Sequence, residues 1–347
     1  MSWLTDDDDE AYSEYDESSA RVRPNPKGSK PRTKHRPDHA DAVPGHVFTV
    51  DRGRYGVWVG EGTADERQVT ATKARDLGRS PEGRISVVPG DWVDLVGDTS
   101  GDEGSLARIV RIHPRSSLLR RSADDTDAVE RIIVANADQM LIVVAAANPE
   151  PRPRLVDRYL VAAYDAGIHP ILCVTKTDLA DPSDFLANFA GLDLTIVTSR
   201  SDAVPLDELR ALLDGHTTVA VGHSGVGKST LVNALVPEAN RATGRVNDVT
   251  GRGRHTSSST VSYRLGSGWI VDTPGVRSFG LGHVDPANIL GAFGDLAQIA
   301  KNCPRGCTHL PDSPDCAIIE AVDEGVLGES GRLRLDSFQR LISTLGS

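Results

Sequence analysis

The residues with the clearest chemistry are Gly222-His223-Ser224-Gly225-Val226-Gly227-Lys228-Ser229-Thr230, which fit the phosphate-loop pattern G-x-x-x-x-G-K-[ST] at every required position. Glycines at this spacing let successive backbone N–H groups turn inward around phosphate oxygens, and a helix starting after them adds positive potential. Lys228 is placed to reach the β and γ phosphates, and Ser229 to hold Mg²⁺. The apolar run Thr218-Val219-Ala220-Val221 supplies the strand that must precede such a loop, and Leu231-Val232-Asn233-Ala234-Leu235 the helix that must follow it. These residues predict a nucleoside triphosphate site.

Three further groups can be placed relative to the loop. Thr175-Lys176-Thr177-Asp178 resembles the guanine-reading N-K-x-D signature of GTPases, in which the Asp accepts from two N–H groups that only guanine presents. Thr198-Ser199-Arg200 resembles the companion S-A-x element, whose backbone N–H meets the guanine O6. Downstream, Asp272-Thr273-Pro274-Gly275 matches D-x-x-G, with Asp272 on Mg²⁺ through water and the Gly275 N–H on the γ-phosphate. Separately, Cys303, Cys307, His309 and Cys316 offer three sulfurs and an imidazole, a set suited to tetrahedral structural Zn²⁺. The fourth cysteine, Cys173, falls in an apolar run and reads as core.

The elements that position these groups follow from apolar patterning. Strands over Gln139–Ala145, Pro170–Val174, Leu194–Val197, Val219–Val221 and Trp269–Asp272 are continuously apolar, with helices predicted over Arg154–Ala166, Pro182–Phe189 and Leu206–Leu213 between them. That alternation predicts a parallel sheet buried on both faces, with ligands at the carboxyl ends of its strands. From Gly45 to Ile112, five short runs (His46–Val50, Tyr55–Val59, Arg84–Val88, Asp91–Val96 and Ala107–Ile112) predict a small barrel. An OB-fold that meets oligonucleotides and an SH3-like structural barrel both fit, and Tyr55, Trp58 and Trp92 fit either core or stacking positions. Helices are predicted over Ile289–Ile299, Ala317–Val322 and Leu333–Leu345. Residues 1–42, acidic and then basic and proline-rich, have too few apolar side chains for a core and read as a disordered tail. The expected division is a tail over 1–42, an OB-fold-like barrel over 43–114, an α/β phosphate-loop domain over 115–285, and a zinc-binding helical domain over 286–347.

The net charge of −11 excludes nucleic-acid binding by bulk attraction and confines any such contact to local basic surfaces. The longest apolar run, Met140 to Ala147, is less than half of the roughly 20 residues a membrane helix needs. No membrane or export signal is expected, and clustered rather than spread cysteines fit a reducing, cytoplasmic setting.

The order of the motifs is diagnostic. Ordinary GTPases run from phosphate loop through D-x-x-G to N-K-x-D, whereas here the base-reading elements come first, so the GTPase domain is circularly permuted. With a barrel before it and a Cys/His cluster after it, the chain resembles the small-subunit-dependent GTPases of the RsgA (YjeQ) family over roughly residues 43 to 345. Further matching stretches are Val134–Gln139, Asp157–Leu160, Gly251–Thr256 and Pro274–Leu281. The resemblance implies a GTPase stimulated by the small (30S) ribosomal subunit, acting late in its maturation as a monomer that contacts 16S rRNA. It implies GTP and GDP as ligands, Mg²⁺ with the nucleotide, and structural Zn²⁺. Two departures stand out: Thr175 replaces the family's Asn, and the cysteine spacing is C-x3-C-x-H-x6-C rather than C-x4-C-x-H-x5-C.

Val276 follows D-x-x-G where many GTPases place a water-orienting Gln, so slow intrinsic hydrolysis is expected. His255, in the Gly251–Ser259 stretch at the switch I position, is the candidate for positioning water, with rRNA contact as its alternative reading beside Arg252 and Arg254. Thr256 is the switch I candidate for Mg²⁺, with Thr250 and Ser257 as alternatives. Because D-x-x-G leads straight into the zinc-binding part, loss of the γ-phosphate is expected to re-orient that part. An RNA-binding factor holding GTP only as a conformational cofactor stays open, while an ATPase conflicts with Asp178.

Overall fold

The computed structural model describes residues 39–346 except 76, 78, 81–82, 85, 123–129, 238–259, 274–278 and 280. The tail up to residue 38, the Gly251–Ser259 stretch with His255 and Thr256, Thr250, Gly275 and Val276 lie outside the described residues.

Strands β1 (Val43–Asp51), β2 (Arg54–Val59) and β3 (Arg67–Lys73) form an antiparallel meander. A two-residue ladder, β4 (Arg79–Ser80) with β5 (Gly83–Arg84), precedes β6 (Trp92–Gly97) and β7 (Ala107–Ile112). β7 pairs parallel with β3 and antiparallel with β6, and β6 returns to β1, closing a five-stranded barrel in the order β1-β2-β3-β7-β6. This closure is the OB-fold arrangement. Its third strand is Arg67–Lys73 rather than the expected Arg84–Val88. Val69 and Ala71 point inward there while polar residues alternate outward, a half-buried strand with small inner side chains. Val87 and Val88 are buried without forming a strand, because the buried Asp91 carboxylate accepts the Val88 N–H at 2.8 Å and bends the chain. Tyr55 is a core residue, whereas Trp92 is 43 % exposed.

A hairpin of β8 (Leu118–Ser122) and β9 (Glu130–Ala135) stands between the barrel and the parallel strands. The α/β part then contains β10 (Gln139–Ala145), α1 (Pro153–Asp165), β11 (His169–Thr175), α2 (Ser183–Ala187), β12 (Thr195–Thr198), α3 (Leu206–Leu213), β13 (Thr217–Val221), α4 (Lys228–Leu235), β14 (Val261–Leu265) and β15 (Gly268–Asp272). Its strand order is β12-β11-β10-β13-β15-β14, parallel except for the β14–β15 pair. β10 is buried at every position. Met140, Ile142 and Val144 face one core, and Leu141, Val143 and Ala145 the other, so both faces of the sheet are covered.

Four helices follow: α5 (Pro286–Gly291), α6 (Gly294–Ala300), α7 (Ala317–Asp323) and α8 (Gly328–Ser343). The single helix expected over Ile289–Ile299 is two, broken where Phe293 turns into the core. α8 starts five residues before the expected Leu333, as reading from Gly328 shows. Among the described residues no helix is long and apolar enough to cross a membrane.

Candidate functional site

The carboxyl ends of the five parallel strands β12, β11, β10, β13 and β15 converge on the Gly222–Thr230 loop. Gly225 and Gly227 have φ of 83° and 93°, backbone that side chains with a Cβ rarely adopt, and Gly227 caps α4. A Cβ on Gly222 would lie 2.5 Å from the Val143 carbonyl oxygen, so only glycine lets the loop leave β13 here. Val226 is buried, while Ser224, Ser229 and Thr230 are exposed. The His223 ring lies with Nδ1 3.0 Å from the Ser224 carbonyl.

Lys228 and Asp272 form a largely enclosed ion pair, which joins the phosphate loop to the first residue of D-x-x-G. The buried Thr273 hydroxyl donates to the Ala220 carbonyl at 2.9 Å and staples the ends of β13 and β15 together. Gly275 lies outside the described residues.

The residues expected to read the base are tied to the same loop. Thr175, at the end of β11, has its hydroxyl 2.5 Å from the Val226 carbonyl and 3.2 Å from that of Val144. One hydroxyl carries one proton, so the shorter contact is the bond made and it goes to the phosphate loop. Thr175, which stands where the family has Asn, thus ties the end of β11 to the phosphate loop. Lys176, in left-handed backbone at φ 57°, donates its ammonium to the Gly225 carbonyl at 2.8 Å and to the Asn148 carbonyl. The Thr177 N–H donates to the carbonyl of buried Ser199 at 3.2 Å. Asp178 accepts the Ser201 N–H at 2.7 Å, and that backbone bond holds its carboxyl below the usual carboxylate range. Two strand ends are therefore locked into one edge beside the phosphate loop.

The Asn148-Pro149 turn after β10 went unnoticed in the sequence. It receives the Lys176 ammonium and brings Pro149 against Gly225. The signal available was an Asn-Pro dipeptide at the carboxyl end of a buried strand.

Some distance along the chain, Cys303, Cys307, His309 and Cys316 bring their ligand atoms within 4.8 Å of one another. The His309 Nδ1 is 3.3 Å from the Cys307 sulfur and 3.6 Å from those of Cys303 and Cys316, and the Cys303 and Cys316 sulfurs are 3.9 Å apart. A tetrahedral site with metal–sulfur bonds of ~2.3 Å has edges of about 3.5–3.8 Å. The four residues fit that shape, so the altered cysteine spacing still closes a cluster that can hold a metal ion. Left-handed backbone at Gly306 and His309 makes the sharp turns. Cys173 lies apart in β11, its thiol pushed up to about 12 by burial, as a core residue.

Comparison with known proteins meets this geometry. The family model described as RsgA GTPase matches residues 112–282. The small ribosomal subunit biogenesis GTPase RsgA of Pseudomonas aeruginosa is 36 % identical over 259 residues, covering 71 % of this chain and 73 % of that protein. The chain belongs to the RsgA GTPase family. The RsgA of Streptococcus pneumoniae is 35 % identical over 283 residues, with 80 % and 88 % of the two chains covered. In fold, the chain is similar to YjeQ from Thermotoga maritima (TM-score 0.62, 24 % identity, 88 % and 99 % covered) and to YloQ, a circularly permuted GTPase (TM-score 0.61, 24 % identity, 89 % and 98 % covered). As an RsgA-family GTPase, the protein is a GTP-hydrolysing enzyme, and a barrel, a permuted GTPase sheet and a helical Cys/His part follow one another in its chain.

Proposed function

We propose that this GTPase hydrolyses GTP to GDP on the small ribosomal subunit, in the late maturation of that particle, as a cytoplasmic monomer that contacts 16S rRNA. The observation that carries the reading is the direct linkage of Thr175 and Lys176, the residues expected to flank the base, to Val226 and Gly225 of the phosphate loop. The curated relatives carry the matching description, small ribosomal subunit biogenesis GTPase.

In this reading Asp178 selects guanine, Lys176 and Thr177 shape the base edge, and the Ser199 N–H meets the guanine O6. The loop from Gly222 through His223, Ser224, Gly225, Val226, Gly227, Lys228 and Ser229 to Thr230 holds the phosphates, with Gly275 on the γ-phosphate. Ser229, Thr256 and Asp272 hold Mg²⁺, and His255 positions the hydrolytic water. Cys303, Cys307, His309 and Cys316 hold structural Zn²⁺ as thiolates and a neutral imidazole. The working division is the tail over 1–42, the barrel over 43–114, the GTPase domain over 115–285 and the zinc-binding part over 286–347.

Turnover of GTP against ATP, with and without purified small subunits, tests the whole reading. GTP-selective turnover that rises when subunits are added supports it, and turnover indifferent to subunits overturns it. His255→Ala is expected to lose the stimulated turnover while keeping subunit binding.

A further inference from the structure

Trp92 opens β6 and is 43 % exposed, whereas Trp269, in the same aromatic group, is only 6 % exposed. One face of the Trp92 indole rests on the His46 ring, with centroids 5.1 Å apart and planes 28° apart. His46 is itself buried and meets Trp269 edge-on at 4.8 Å. The indole is therefore backed by a fixed aromatic stack while much of it stays open to solvent.

The barrel's register sets what stands beside that ring. His46 pairs with Trp92 between β1 and β6, and Asp94 pairs with Arg111 between β6 and β7. Side chains alternate along a strand, so Trp92 and Asp94 share the outer face. The Asp94 carboxylate, only 12 % exposed, is engaged by the Arg111 guanidinium at 3.2 Å and by His113 Nε2 at 2.8 Å. Arg111 itself is 59 % exposed, so its guanidinium is oriented by Asp94 and still reaches solvent.

A half-exposed flat ring backed by a stacked imidazole, beside an oriented guanidinium, suits a nucleobase and its adjoining phosphate. A protein partner docking on an exposed Trp would be expected to find apolar neighbours, and here the neighbours are Asp94, Arg111 and His113. We propose that Trp92 is a stacking platform for an unpaired RNA base, with Arg111 on the adjoining phosphate. The assignment rests on the reading of this GTPase as an rRNA-contacting protein. It adds a contact on β6 and β7, away from the β2–β3 face that OB-folds commonly use.

The test uses the full chain with Trp92→Ala, Trp92→Phe and Arg111→Ala. Affinity is measured for purified small subunits and, across a salt series, for an unstructured oligoribonucleotide, with subunit-free GTP turnover as the control for folding. Trp92→Ala is expected to weaken both affinities about five-fold or more, and Trp92→Phe to keep most of both. Arg111→Ala should reduce the slope of log affinity against log salt by about 0.7, as one lost phosphate contact does on single strands. Unchanged oligoribonucleotide affinity in Trp92→Ala overturns the platform. If that variant loses subunits but not the oligoribonucleotide, the surface meets ribosomal protein and the RNA assignment falls. A wild-type chain that binds the oligoribonucleotide through Trp92 but ignores small subunits supports the platform and overturns the ribosomal reading.

Discussion

The GTPase sheet has two neighbours, and they are attached in different ways. On the C-terminal side the core is continuous: α1 supplies Tyr159 and Tyr164, which meet Phe279 and Phe293 edge-on at 5.7 and 6.4 Å, and Phe293 meets Phe338 of α8 at 5.6 Å. Arg340 of α8 reaches the buried Asp157 carboxylate of α1 at 3.1 Å and lies over the Phe189 ring. On the barrel side, among the described residues, one backbone bridge, Thr49 with Val261, joins the sheets. Around it stand the Arg264–Glu66 ion pair, the Trp269 indole N–H donating to Glu61 at 2.8 Å, and a buried His46 Nδ1 that lies 3.7 Å from Glu61 and has no hydrogen-bond partner among the described residues. Apolar area shared over several elements ties the C-terminal helices to the sheet, whereas a smaller mixed seam ties the barrel, polar contacts with Trp269 packed against His46 and Trp58. Helices and GTPase sheet should therefore unfold together, and the barrel should separate at lower cost. Phe279, four residues beyond Gly275, is buried in the shared core, so any movement passed on from D-x-x-G would reach α1 as well as α8.

The largest effect should come from breaking the shared core. Phe338→Ala is expected to destabilise by about 3–5 kcal/mol, the usual cost of deleting a buried ring. Chemical denaturation followed by far-UV circular dichroism and by nucleotide release should show one joint loss. If the helices melted while nucleotide binding persisted, the continuous-core account would fail. With the proposed metal at the Cys/His cluster, treatment with a chelator, or substituting Cys307→Ser, is expected to act locally: the Cys303–Cys316 turns lose protection from hydrogen exchange, while the GTPase sheet keeps it.

Arg340→Ala comes next. It leaves Asp157 buried without its partner, and since Arg340 is one-third exposed the cost is expected near the low end for such breaks, about 2–3 kcal/mol. Burial already pushes the Asp157 carboxyl up, and the Arg340 charge partly offsets this. A carboxyl whose folded pKa lies above its unfolded one loses stability as pH rises through that interval, so the variant should fall behind wild type as pH rises and approach it in acid. Denaturation midpoints across a pH series read this directly.

Much of this was legible in the sequence where the information is local. The strand-end motifs around Lys228, Asp178 and Asp272 each span a few residues, and a parallel sheet forces such ends to one edge whatever the intervening chain does. The Cys/His spacing likewise tolerates a one-residue change, because its turns are set by local backbone at Gly306 and His309. Contacts made at long range left no local trace. Nothing in Asn148-Pro149 announces Lys176, and nothing in Asp157 announces Arg340. Strand β14 was legible in the alternation of Val261–Leu265 but is only five residues long, and β3 was obscured because its inner residues are as small as Ala71. The residues expected to complete catalysis, His255 and Thr256, lie outside the described ones, so their roles rest on turnover measurements.

The smallest effect is expected at the barrel seam, and it tests the comparison from the weak side. Arg264 donates to both Glu66 oxygens, at 2.7 and 2.6 Å, across the two sheets. That hydrogen bond is the main cause holding the Glu66 carboxyl below its ordinary range. A lowered folded pKa means the pair contributes fully above the ordinary Glu range and is lost as pH falls through the lowered value. Solvent and salt screen a pair this exposed. Arg264→Ala is therefore expected to shift the denaturation midpoint slightly at neutral pH and low salt, and not at all in high salt or in acid. Its clearer signature should be faster hydrogen exchange at Thr49 and Val261 while β10 and β11 stay protected. Equal loosening of β10 would show that the barrel is as deeply coupled to the sheet as the C-terminal helices are, and the difference between the two seams would disappear.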